Sequence, residues 1–81
     1  MKHKKTIKII ARVKKKDIMY INSIIEAYEG MMVMRTIDPK EATVEFDVSP
    51  YFYSGAVKIL SEISKETFLE IIHKDKIESY E

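Results

Sequence analysis

The chain has 81 residues, 46% hydrophobic and 33% charged, with a net charge of +1 and no cysteine. That length suits a single domain, residues 1–81, with a core that buries only about 60–65% of the unfolded chain's surface; the missing thiol excludes disulfides, thiolate metal sites and cysteine nucleophiles. No apolar run approaches the roughly 20 residues of a membrane-spanning helix, and the basic start Met1-Lys2-His3-Lys4-Lys5 lacks the apolar signal region of about 7–15 residues that would have to follow, so the expectation is a cytoplasmic protein.

From Thr6 to Lys14 the residues alternate. Ile7, Ile9, Ala11 and Val13 point one way, and Lys8, Ile10, Arg12 and Lys14 the other. Period two is the signature of a strand with one buried face. Charge is uneven along the chain: residues 1–16 hold eight basic side chains and no acidic one, whereas residues 17–81 hold six basic and thirteen acidic, a net of −7. A basic arm suits either an anionic partner or acidic neighbours in the same sheet.

Asp17 stands where a helix N-cap is needed. Ile18, Ile21, Ile25 and Tyr28 then recur at three- and four-residue spacing beside Ile24, which is an amphipathic helix stripe, and Gly30 supplies a left-handed stop. Met31–Ile37 and Ala42–Val48 read as two strands joined by Asp38-Pro39-Lys40-Glu41, in which proline presets φ and the Asp38 side chain bonds back to turn amides. A four-residue turn pairs Ile37 with Ala42 and Val33 with Phe46. Met31, Val33, Arg35 and Ile37 then face the core, and Met32, Met34 and Thr36 share the open face with Thr43, Glu45 and Asp47. Arg35 is uncomfortable on the core side: it must snorkel at a sheet edge, or a bulge must shift the register.

Ser49-Pro50 is an N-cap followed by proline at the first helical position, and Phe52, Ala56, Ile59, Leu60 and Ile63 form the second helical stripe. Gly55 weakens this helix and permits close packing. Tyr51 and Tyr53 at its start are expected to cover the core. Phe68–Ile72 completes the pattern as a fourth strand, putting either Leu69 and Ile71 or Phe68 and Ile72 on the open face. The ordered core is expected over 6–72, and the polar tail 73–81 is expected to fray.

The order βαββαβ predicts an α+β, ferredoxin-like sandwich: a four-stranded antiparallel sheet with two helices on one face. Right-handed crossovers give the strand order 4-1-3-2. Lys8 and Arg12 then share the open face with Glu45 and Asp47, which lets the basic first strand neutralise the acidic third.

No catalytic constellation stands out. His3 and His73 lie near the chain ends with no nucleophile in a recognisable setting. Glu70, His73 and Asp75, or Met31, Met32 and Met34, make weak metal sites, and methionine is more often packing material. We expect no enzyme activity, metal or cofactor. The open positions of the first and third strands hold no aromatic platform for stacking RNA bases, so nucleic acid is the alternative partner only, through Lys2, Lys4, Lys5, Lys8 and Arg12. The loop Lys14–Asp17 leads into a helix start, where amides and dipole favour an anion. Ile10, Met32 and Met34 make the open face apolar in the expected register and therefore a self-association surface. The second strand is also an unpaired edge.

The segments Ile21–Gly30, Arg35–Glu41 and Val48-Ser49-Pro50 resemble a family of short bacterial proteins of unknown function whose expected shape is similar to ACT domains. The resemblance covers residues 7–64 and rests on helix-end, turn and helix-start motifs. It implies a small-ligand-binding regulatory module that works as a dimer, with an amino acid bound near the loop before the first helix; taken with the anion reading of that loop, the expectation is a homo-oligomer that takes an amino acid or small anion. On this chain the contacts would be Lys15, Lys16, Asp17 and Asn22.

Overall fold

β1 (Ile7–Val13) is built by its alternation: Ile7, Ile9, Ala11 and Val13 are buried, and Lys8 and Arg12 are exposed. The computed structural model describes residues 6–28 and 30–75. After β1 come α1 (Ile18–Glu26), β2 (Met32–Asp38), β3 (Thr43–Val48), α2 (Tyr53–Glu66) and β4 (Leu69–Lys74). The sheet order is β2-β3-β1-β4, the expected 4-1-3-2 read from the other edge, and every neighbouring pair is antiparallel. The two helices cover one face of the sheet. Between the layers lie Ile9, Ile21, Ile25, Val44, Phe46, Val48 and Leu60, all fully buried.

Both helices start through a 3-10 turn. Lys15–Asp17 leads into α1 and Pro50–Phe52 into α2, and neither Asp17 nor Ser49 caps an amide with its side chain. The tighter turn is closed by the backbone alone, with the Asp17 amide donating to the Lys14 carbonyl at 2.9 Å and that of Phe52 to Ser49 at 2.9 Å. Gly30 adopts φ +79°, the left-handed stop expected after α1. Ala56, Leu60 and Ile63 bury the stripe of α2, while Phe52 is 48% exposed. Tyr53 packs on the core as expected, but Tyr51 is exposed.

The register of β2 against β3 differs by one residue from the expected one. Met32 pairs with Val48, Met34 with Phe46 and Thr36 with Val44, whereas Val33 pairs with Asp47 and Arg35 with Glu45. Met32 and Met34 therefore turn toward the helices, and Val33 and Arg35 turn outward. Met32 is 5% exposed and belongs to the core, Met34 packs against it, and Val33 is 62% exposed. The register breaks between Thr36 and Asp38, where a bulge absorbs one residue. The turn keeps four residues but moves one along the chain, to Pro39–Ala42 between paired Asp38 and Thr43: Asp38 Oδ1 accepts from the amides of Lys40 (3.1 Å) and Glu41 (3.2 Å), and Ala42 closes the turn at φ +53°. A one-residue slip exchanges every side chain between faces. This one takes the guanidinium of Arg35 out of the core and puts a methionine in its place.

β4 runs two residues beyond the expected Ile72, through His73 to Lys74. Residues 76–81, the rest of the expected tail, lie outside the described residues, as do residues 1–5. Ile10 pairs with His73 and Ala11 with Ile71, so Ile72 is the extra residue of a second bulge. Leu69 and Ile71 lie opposite Val13 and Ala11, on the helix side of the sheet.

Candidate functional site

The open face of the sheet carries a charge cluster at its centre. β3 places Glu45 and Asp47 two residues apart on that face, β1 brings Lys8 to one side and β2 brings Arg35 to the other. Arg35 Nη2 lies 2.7 Å from Glu45 Oε2 and 3.6 Å from Asp47 Oδ2, and Lys8 Nζ lies 3.6 Å from Glu45 Oε2 and 3.7 Å from Asp47 Oδ1. The acids are the sheltered members: the side chains of Glu45 and Asp47 are 10% and 22% exposed, against 47% for Lys8 and 58% for Arg35.

The pKa values of the two carboxyls are shifted in opposite directions. The Arg35 guanidinium, bonded directly to Glu45, holds that carboxyl below its ordinary value, helped by a bond from Asp47 and by Lys8. Burial pushes Asp47 up, and the adjacent Glu45 charge adds to the rise. Asp47 Oδ1 is buried without a hydrogen bond, which fits a carboxyl whose charge is poorly supported. Two cations and two acids balance, so the cluster has no surplus charge to offer a ligand. Lys8, expected as part of a basic arm, is engaged with β3. Pairing of the basic first strand with the acidic third was legible in the sequence. Arg35 was the missed member, and the signal was its poor fit to the core.

The expected ligand loop is a different kind of surface. Lys15 and Lys16 are exposed, and Lys16 Nζ sits 3.5 Å from Asp17 Oδ1. Asn22, one turn further along α1, donates to Glu26 Oε2 at 3.3 Å. Lys16 and Asp17 are thus brought together, and Asn22 is engaged with Glu26 on its own helix. Arg12 lies on the open face between Thr43 and Glu70, and Lys2, Lys4 and Lys5 lie outside the described residues. Of the three expected interface residues, only Ile10 is on the open face, half-buried opposite Glu45; Met32 and Met34 are on the helix side, because the bulge in β2 reverses them.

Among the described residues no group of three or more His, Asp or Glu side chains is placed to hold a metal ion. His73 Nε2 is 3.0 Å from Asp75 Oδ1. No helix of the described residues is long and apolar enough to cross a membrane.

Among the described residues two grooves open on the helix side. One, about 450 Å³, runs between α1 and α2 along Ile24, Tyr28, Ile59 and Ile63, with Lys58, Glu62 and Glu66 at its rim. Tyr20 bridges the two helices nearby, its hydroxyl donating to Glu66 Oε1 at 2.7 Å, which raises the tyrosine's pKa. The other, about 280 Å³, lies between α2 and β4 and is lined by Ile9, Val57, Leu60, Leu69 and Ile71 with Ser61, Ser64 and Lys74. Ile71 belongs to the inner face by its pairing with Ala11, yet it is 43% exposed. The helix layer stops short of β4.

This architecture defines the class: an antiparallel α+β domain of the split βαβ type, with a self-neutralised open face and an incompletely covered edge strand. Residues 11–67 match the family described as Domain of unknown function (DUF4911), and the chain belongs to that family. Searches of curated proteins and of solved structures found no match to the chain.

Proposed function

We propose that this domain is a non-enzymatic, ACT-like binding and regulatory module of the bacterial cytoplasm that works as a homo-oligomer. The observation that carries the reading is Ile71. It is an aliphatic side chain on the core side of an edge strand, and it remains 43% exposed because α2 does not reach over it. Phe68 and Ile72 beside it are 46% exposed each. Clustered exposed apolar side chains along a sheet edge are costly in an isolated monomer and favour burial against another chain. The expected open-face surface of Ile10, Met32 and Met34 no longer supports association, since two of the three are turned inward. The uncovered flank of β4 takes over that role.

A regulatory module of this kind takes an amino acid or small anion; the ACT likeness points to the loop before α1, where the exposed Lys15 and Lys16 are the contacts this chain offers. Sedimentation of the wild-type chain over a rising concentration series tests the association: the weight-average mass should climb above 9.5 kDa toward a multiple of it. A chain that stays at the monomer mass at the highest concentration refutes the reading.

A further inference from the structure

We infer that β4 pairs with β4 of a second copy, antiparallel across a two-fold axis between Ile71 and Ile72, to make one continuous eight-stranded sheet. The inference deepens the homo-oligomer reading and rests on it.

The argument begins with what β4 exposes. As the last strand of the β2-β3-β1-β4 sheet, it is, among the described residues of one copy, hydrogen-bonded on the β1 side only. Its sequence, Leu69-Glu70-Ile71-Ile72-His73-Lys74, is acidic toward its start and basic at its end. Antiparallel self-pairing lays the acidic part of one strand along the basic part of the other. With the axis between Ile71 and Ile72, Leu69 meets Lys74 of the second copy, Glu70 meets His73, and Ile71 meets Ile72. The faces agree as well. Leu69 and Lys74 both sit opposite core-facing residues of β1, Val13 and Ile9, whereas Glu70 and His73 both sit opposite open-face residues, Arg12 and Ile10. A carboxylate acceptor thus meets an imidazole donor on the open side. On the helix side, the two grooves under Ile71 merge into one apolar layer with the lysine stems at its ends.

The other edge fails the same test. β2 presents Arg35 at the middle of its open face. An antiparallel pairing centred on that strand brings Arg35 onto Arg35 of the second copy, and like charges directly opposite are destabilising. A six-residue strand pair with one apolar flank is small beside the about 1,200–2,000 Å² of tight complexes, so this dimer should dissociate on dilution.

The test is a charge-swap series in the full chain, read by sedimentation, with circular dichroism as the check on folding. Glu70→Lys and His73→Glu should each weaken dimerisation at least about tenfold, the factor that corresponds to about 1.4 kcal/mol. The double variant Glu70→Lys/His73→Glu restores the opposite-charge pair across the axis and should recover most of the loss. Sedimentation reads the interchain pair apart from the intrachain neighbours Arg12 and Asp75, whose changes register in the melting transition followed by circular dichroism. A dimer indifferent to both single changes, or a double variant weaker than either single, overturns the β4 pairing and leaves the homo-oligomer reading standing. A wild-type chain that is monomeric throughout overturns both.

Discussion

The amide of Lys8 donates to Asp75 Oδ2 at 3.0 Å, and the amide of Asp75 donates back to the Lys8 carbonyl at 3.0 Å. This reciprocal pair fastens the end of β4 to the start of β1. The same Asp75 carboxylate holds His73 through its other oxygen at 3.0 Å. Asp75 thereby ends the edge strand with a side chain where a further ladder residue would stand, and it stiffens the basic half of β4.

Asp75 gives the fold an acid-sensitive clasp. The His73 ring, and then the Lys8 amide, hold its carboxyl below the ordinary value. A carboxyl with a depressed folded-state pKa contributes stability that is present above its unfolded value of about 3.9 and lost as pH falls through the folded value. Asp75→Ala should therefore lower the urea midpoint at neutral pH and flatten the acid limb of the stability profile. Hydrogen exchange at Ile72–Lys74 should speed up with it. Unchanged exchange in β4 would show that the clasp does not hold the strand.

The open-face cluster is asymmetric, and its members should respond differently. Arg35→Met removes the closest partner of the sheltered Glu45 carboxylate and should lower the urea midpoint more than Lys8→Met. Glu45→Gln should also destabilise at neutral pH. Asp47→Asn should be neutral or mildly stabilising there, because burial and the Glu45 charge both oppose ionisation of Asp47. The sign follows from its raised folded-state pKa: the penalty is present above that value and relieved as pH falls through it. The difference between Asp47→Asn and wild type should thus shrink on acidification, as measured by melts at a series of pH values.

The register of β2 is open to a direct contrast. Met32→Ala should cost about 2–5 kcal/mol, as for a buried side chain that leaves a cavity. Val33→Ala, on the exposed face, should stay within about 0.5 kcal/mol. Equilibrium urea unfolding of the two variants decides it, and the reverse ranking would support the slipped register in which Val33 points inward.

Gly55 lies in the first turn of α2, and a Cβ there would meet Met31 Cε at 3.5 Å and Sδ at 3.6 Å, which is ordinary contact. Glycine is not required for this approach. Gly55→Ala should stabilise the domain by up to about 0.5–1 kcal/mol through helix propensity and the unfolded chain's lost freedom, and a higher thermal midpoint would show it. A lower midpoint would mean that Met31 cannot yield.

Alternation and helical spacing determined a great deal by themselves. Ile7, Ile9, Ala11 and Val13 had one arrangement as a strand, Ile21 and Ile25 one as a helix face, and Gly30 one use as a stop, because the periods of 2 and 3.6 are written locally in the chain. From them followed the βαββαβ order, the 4-1-3-2 sheet and the meeting of Lys8 with Glu45 and Asp47. Which face Met32 and Met34 occupy was not local. It turned on a bulge at Ile37 and a left-handed Ala42, neither of which carries a glycine signal, and on the competition between burying Arg35 and pairing it with Glu45 across the sheet. The uncovered flank of β4 was equally hidden, since Ile71 reads as a core residue in any strand pattern and only the reach of α2 leaves it exposed. Periodicity is set by neighbours in the chain; register and coverage are set by which distant groups meet, and only packing decides that.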